Sequence, residues 1–164
     1  MSLWLRWGGG ILLVFGALLV SREYERYLGR RISEYSGLAL LIGHAKSMIS
    51  KFLAHGEGLW RSFSNDALER VGLLAALREG RGLGEAFDLC RDKMSLPRSG
   101  AARLSEELHR LGGEYMGGEL ERLTALEQSL VSEGEAEQAL AEKNIKVARA
   151  LLLGGALVAL ISVI

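Results

Sequence analysis

The chain has one cysteine, Cys90, and one proline, Pro97, in 164 residues. A single thiol excludes an internal disulfide framework. A single proline leaves long helices almost uninterrupted. Lys and Arg number 20, as do Asp and Glu, so the formal net charge is zero and no bulk attraction to nucleic acid or anionic lipid is expected. No period-2 alternation marks a strand. No Gly-Lys pair and no Gly-x-Ser-x-Gly occurs, and His44, His55 and His109 stand far apart with no zinc spacing. These absences predict neither cofactor nor metal, no small-molecule substrate and no enzyme.

Glycine is what the chain has in quantity, 21 residues. "LREGRGLGEAF", Leu77 to Phe87, resembles a dinucleotide loop, but Glu85 stands where the third glycine belongs. Leu68, Val71 and Ala75 before it have helical spacing, whereas that loop needs a strand. The stretch therefore reads as a turn between helices. Gly80 closes one helix in a left-handed cap, Gly82 and Gly84 make the turn, and a helix begins near Leu83. Cys90 falls in the series Leu83, Phe87, Cys90, Met94, one helix face, so it reads as a packing thiol. Gly112 and Gly113 mark a second turn.

Each end carries an apolar run. Trp7 to Ser21 is free of charge, and Leu3 to Val20, 18 residues with only Arg6 inside, is near the lower limit for spanning a bilayer. Trp4 and Trp7 suit an interfacial belt. No small-x-small cleavage site follows, which favours an uncleaved anchor over a signal peptide. Ala150 to Ile164 is also charge-free. There Gly154, Gly155 and Ala159 give the small-residue spacing that allows close helix packing in lipid. Arg22, Arg26, Arg30 and Arg31 follow the first run; Lys143, Lys146 and Arg149 precede or open the second. The positive-inside rule then places residues 22–146 in the cytoplasm and both termini across the membrane.

Between these runs, Leu38, Leu41, Ile42, Ala45, Met48, Ile49, Phe52 and Leu53 form an amphipathic stripe. Ser64 or Asn65 is placed to cap a helix carrying Leu68 to Leu77. Further stripes run through Leu104 and Leu108, and from Met116 through Leu130. The expected fold is all-α: an antiparallel helical bundle, residues 22–146, flanked by transmembrane anchors at 1–21 and 147–164. From Glu106 to Glu142 there are ten Glu and two Arg. That acidic helix is either solvated or a partner face, for which Glu127, Glu133 and Glu137 are the candidates.

"GLLAALREGRGLGEAF", "LHRLGGEY" and the ending "ARALLLGGALVALISVI" resemble the stage III sporulation protein AB family. The likeness covers nearly the whole chain. It includes Leu77-Arg78-Glu79-Gly80 followed by Leu83-Gly84-Glu85-Ala86, the helix end Leu111-Gly112, and Leu153-Gly154-Gly155. The chain departs from the family's pattern at Gly58-Leu59, where Pro-Leu is usual, and at Glu119, where Gln is frequent. The hairpin is also similar to the F component of type II secretion systems. The resemblance implies a scaffold of the mother cell–forespore channel, required for spore development. It would sit in the outer forespore membrane with its bundle in the mother-cell cytoplasm, docking a secretion-type ATPase beside other membrane subunits. The alternative is an F-like platform of a pilus or secretion machine in vegetative cells.

Overall fold

The computed structural model describes residues 3–52, 60–111 and 116–161, apart from the side chains of 3–14, 17, 51–52, 116–117, 149, 153, 156–157 and 159–161. The fold is all-α. Helix α1 is Leu3–Phe52, α2 Asp66–Val71, α3 Leu73–Arg78, α4 Leu83–Cys90, α5 Arg98–Arg110 and α6 Met116–Ile161, with a 3-10 turn at Arg91–Lys93. Among the described residues there is no strand. Among them, too, no helix is long and apolar enough to cross a membrane. The runs expected to do so, at 1–21 and 147–164, fall largely on side chains outside the described set.

The chain divides into two compact units. One is Arg30–Ala136; the other joins Met1–Gly29 with Glu137–Ile164. In the first, the α1 stripe buries Leu38, Leu41, Ile42 and Ala45 as its spacing requires. They join Leu68 and Val71 of α2, Leu73, Leu74 and Leu77 of α3, Ala86, Phe87 and Cys90 of α4, Ala101, Leu104 and Leu108 of α5, and Leu123 and Leu130 of α6. Each fully buried Leu or Phe contributes about 1.5–3 kcal/mol by leaving water. Burial also pushes the Cys90 thiol up, as befits an inert packing cysteine.

The short helices are set by their ends. Asn65 caps α2: its side-chain oxygen accepts from the amides of Ala67 at 3.1 Å and Leu68 at 3.2 Å. The single helix expected over Leu68–Leu77 is broken in two. Gly72 has φ 86°, a left-handed conformation that stops α2 and redirects the chain into α3. Its local sequence, apolar on both sides, gives no turn signal. Pro97 precedes α5, and its carbonyl accepts from the Ala101 amide at 2.8 Å.

In the second unit, Leu28 and Ala141 are buried and Asn144 Nδ2 donates to the Tyr24 hydroxyl at 3.5 Å. Phe15, Leu18, Leu19, Val20, Val147, Leu151 and Val158 are all exposed.

Candidate functional site

The candidate turn glycines have separate roles. Gly80 has φ 86°. Its amide donates to Leu77 O at 3.1 Å and the Arg81 amide to Ala76 O at 3.4 Å, the paired bonds of a Schellman motif. Gly82 is the extended residue ahead of α4, with open space where a side chain would stand. Gly84 is not a turn residue. It is buried inside α4, and a Cβ there would lie 2.6 Å from His109 Cγ. Its lack of a side chain admits the imidazole of α5. Gly112 and Gly113 lie outside the described residues.

That imidazole belongs to a clasp between α4 and α5. Asp88 Oδ1 accepts from Ser105 Oγ at 2.6 Å, and Asp88 Oδ2 from His109 Nε2 at 2.9 Å. A carboxylate only accepts, so Nε2 carries the proton. The hydrogen bond from Ser105, and next that from His109, hold the Asp88 carboxyl below its usual range. The order is Ser–Asp–His, with the hydroxyl bonded to the carboxylate and not to the imidazole. The imidazole is on the carboxylate and not on the hydroxyl, and a carboxylate of lowered pKa is a weak base, so the arrangement is not a Ser–His–Asp relay; what it does is tie α4 to α5. Ser105 and His109 share one helix face at i, i+4, a signal visible in sequence. Their partner on α4 was not.

Of the acidic candidates on α6, two face their own bundle. Glu127 pairs with Lys46 of α1, and Glu133 with Arg103 of α5. Glu127 lies against Gly43, where a Cβ would stand 2.7 Å from its Oε1. Glu137 is half-buried, and Glu121 and Glu135 are exposed. The three candidates therefore do not form one free acidic surface. Lys46 precedes Glu127 by 81 residues, so periodicity on α6 alone could not reveal the pairing.

Near Glu133 an open cleft of about 340 Å³ is lined by Leu96, Leu104, Leu126, Leu130 and Tyr35, with Arg103, Glu107, Arg122, Ser129 and Glu133. It offers apolar surface and both signs of charge. Among the described residues no group of three His, Cys, Asp or Glu could hold a metal ion.

Glu34 is the other polar group the sequence left unremarked. It lies 4% exposed and accepts the Ser95 amide at 2.7 Å, tying α1 to the segment before α5. Burial raises its pKa, against the opposing effects of that hydrogen bond, Arg70 and Arg30. Of the membrane-packing candidates, Gly154 and Gly155 are exposed, with open space beyond each. The side chain of Ala159 lies outside the described set. No family model, curated protein or solved structure matches the chain.

Proposed function

We propose that the chain is a membrane platform subunit, a helical scaffold held at a bilayer by an apolar helix at each end. The observation that carries this reading is the exposure of Phe15, Leu18, Leu19, Val20, Leu151 and Val158 within one unit. Water disfavours exposed apolar side chains in such number, and lipid accepts them. The sequence itself is free of charge from Trp7 to Ser21 and from Ala150 to Ile164. Basic residues on the inner side of both runs support a cytoplasmic bundle.

The setting comes from the sequence resemblance alone. On that basis the protein is a scaffold of the sporulation channel, in the outer forespore membrane, and its bundle docks a secretion-type ATPase from the mother-cell side. The cleft beside Glu133 and the outward carboxylates of α6, Glu121 and Glu135, are the surface we assign to that contact. Topology is tested by impermeant thiol labelling of intact vegetative cells. Cys90 is 3% exposed and contributes little background. A cysteine at Ile164 should label and one at Ser64 should not; the opposite pattern refutes the orientation. Retention of the purified ATPase by the full chain in detergent, lost at moderate salt, tests the docking.

A further inference from the structure

We propose that Arg22, Lys143 and Lys146 form a collar that binds the phosphate groups of anionic phospholipids; this rests on the membrane reading above. Zero net charge hides the collar, because the charge is segregated along the chain. The contact between Tyr24 and Asn144 places these two residues side by side in their unit. Leu28 is buried one turn further along α1 and Ala141 one turn back along α6, the pattern of an antiparallel pair. Arg22 stands two residues before Tyr24 and Lys146 two after Asn144, so the two cations share one level, with Lys143 just beyond.

All three cations are exposed, and among the described residues none forms an ion pair. Glu23, the nearest acid in sequence to Arg22, is engaged by Arg26 at 2.7 Å. On α1 the adjoining turn presents Leu18, Leu19 and Val20 to the outside, 56–70% exposed. Beside Lys146, Val147 is 50% exposed. Exposed cations thus border apolar surface within about one helical turn. Nucleic acid offers phosphate without hydrocarbon, and a folded protein rarely offers hydrocarbon at such extent. A phospholipid offers both in this order. A guanidinium takes a phosphodiester bidentately and the two ammonium groups act as point charges.

The test uses the full chain reconstituted in vesicles of phosphatidylcholine, with or without phosphatidylglycerol. Spin-labelled analogues of the two lipids report which one is immobilised at the protein. We expect preference for phosphatidylglycerol, weakened by salt and reduced roughly fivefold in the variant Arg22→Gln/Lys143→Gln/Lys146→Gln. A charge-matched control, Arg61→Gln/Arg81→Gln/Arg98→Gln, should keep the preference. Equal immobilisation of both lipids, an unchanged triple variant or an equal loss in the control overturns the collar. So does full competition by 10 mM inorganic phosphate (about that concentration suffices against a free-anion site). Flotation with pure phosphatidylcholine vesicles after a carbonate wash is read separately. Failure to float overturns the membrane anchors, whereas flotation without lipid preference overturns only the collar.

Discussion

The two units differ in how far they enclose the same apolar residue types, although Leu40 and Leu89 are exposed in one and Leu28 is buried in the other. In Arg30–Ala136 the largest ones, Phe87, Leu38, Leu41 and Leu74 among them, are fully enclosed. In the unit of the two chain ends, Phe15, Leu19 and Leu151 face outward at 63–72% exposure. Hydrophobicity alone therefore does not say where a side chain goes. On the proposed membrane reading, the bundle must build its own interior in water, whereas a helical pair in lipid can leave its apolar faces outward.

A matched pair of substitutions tests this difference most strongly. Phe87→Ala should cost about 3–5 kcal/mol, because its cavity is walled by packed side chains that collapse only in part. Phe15→Ala should change stability by no more than about 0.5 kcal/mol. Denaturant unfolding of the full chain in detergent, followed by circular dichroism, measures both. Comparable losses would mean that Phe15 is packed against protein, and the contrast between the units would disappear.

Glycines sharpen the same contrast at a smaller scale. Gly84→Ala drives a methyl into the His109 ring and should cost about 1–3 kcal/mol. Gly80→Val should cost about 1–2 kcal/mol, since a β-branched residue is strained at φ 86°. Gly154→Ala meets open space inside a helix and should be neutral or gain up to about 1 kcal/mol. Thermal melts of the three variants give the order. A destabilised Gly154→Ala would reveal a packing partner for that face.

These glycines also show what the sequence made legible. The α1 stripe, the Asn65 cap and the left-handed Gly80 follow from local rules of period, capping and backbone sterics, and all three are in the structure. Gly72 escaped because its neighbours, Val71 and Leu73, continue an apolar helical pattern. Gly84 adjoins the turn in sequence, but its actual constraint is the ring of His109 from a helix more than twenty residues away. Glu127 and Glu133 lie in an acidic run that reads as either a solvated or a partner face, and the partners that engage them lie on other helices. Local chemistry was readable, and contacts that depend on packing between helices were not.

The bundle should also carry two opposed pH dependences. Glu34 has a raised folded pKa, so its contribution to stability is fully present below the unfolded value, about 4.3. It is lost as pH rises through the folded value. Asp88 has a lowered folded pKa, so its contribution is present above its unfolded value, about 3.9. It is lost as pH falls through the folded value. Unfolding midpoints of the full chain from pH 3 to 8 (a range of about five units spanning both groups) should bend accordingly. Glu34→Gln should remove the decline on the alkaline side while keeping an acceptor for the Ser95 amide. Asp88→Asn should remove the decline on the acid side. If Glu34→Gln leaves the curve unchanged, that carboxyl is not buried in solution.

The smallest effect separates the two sides of α6. Glu127→Gln should cost about 0.2–1 kcal/mol, the range for a partly exposed pair, because it uncouples Lys46. Glu135→Gln, on the exposed side, should change stability by less than about 0.5 kcal/mol. Charge reversal is sharper. Glu127→Lys and Glu133→Lys set new cations against Lys46 and Arg103, so both should destabilise the bundle as well as weaken any basic partner. Binding lost in those variants therefore cannot by itself map a docking face. Glu121→Lys and Glu135→Lys avoid this confusion, because they change the outer charge without breaking either pair. A double-mutant cycle of Glu127→Gln with Lys46→Gln, read by denaturant unfolding, isolates the pair from the background. A coupling near zero would mean that Glu127 is solvated, and would return it to the candidate partner surface.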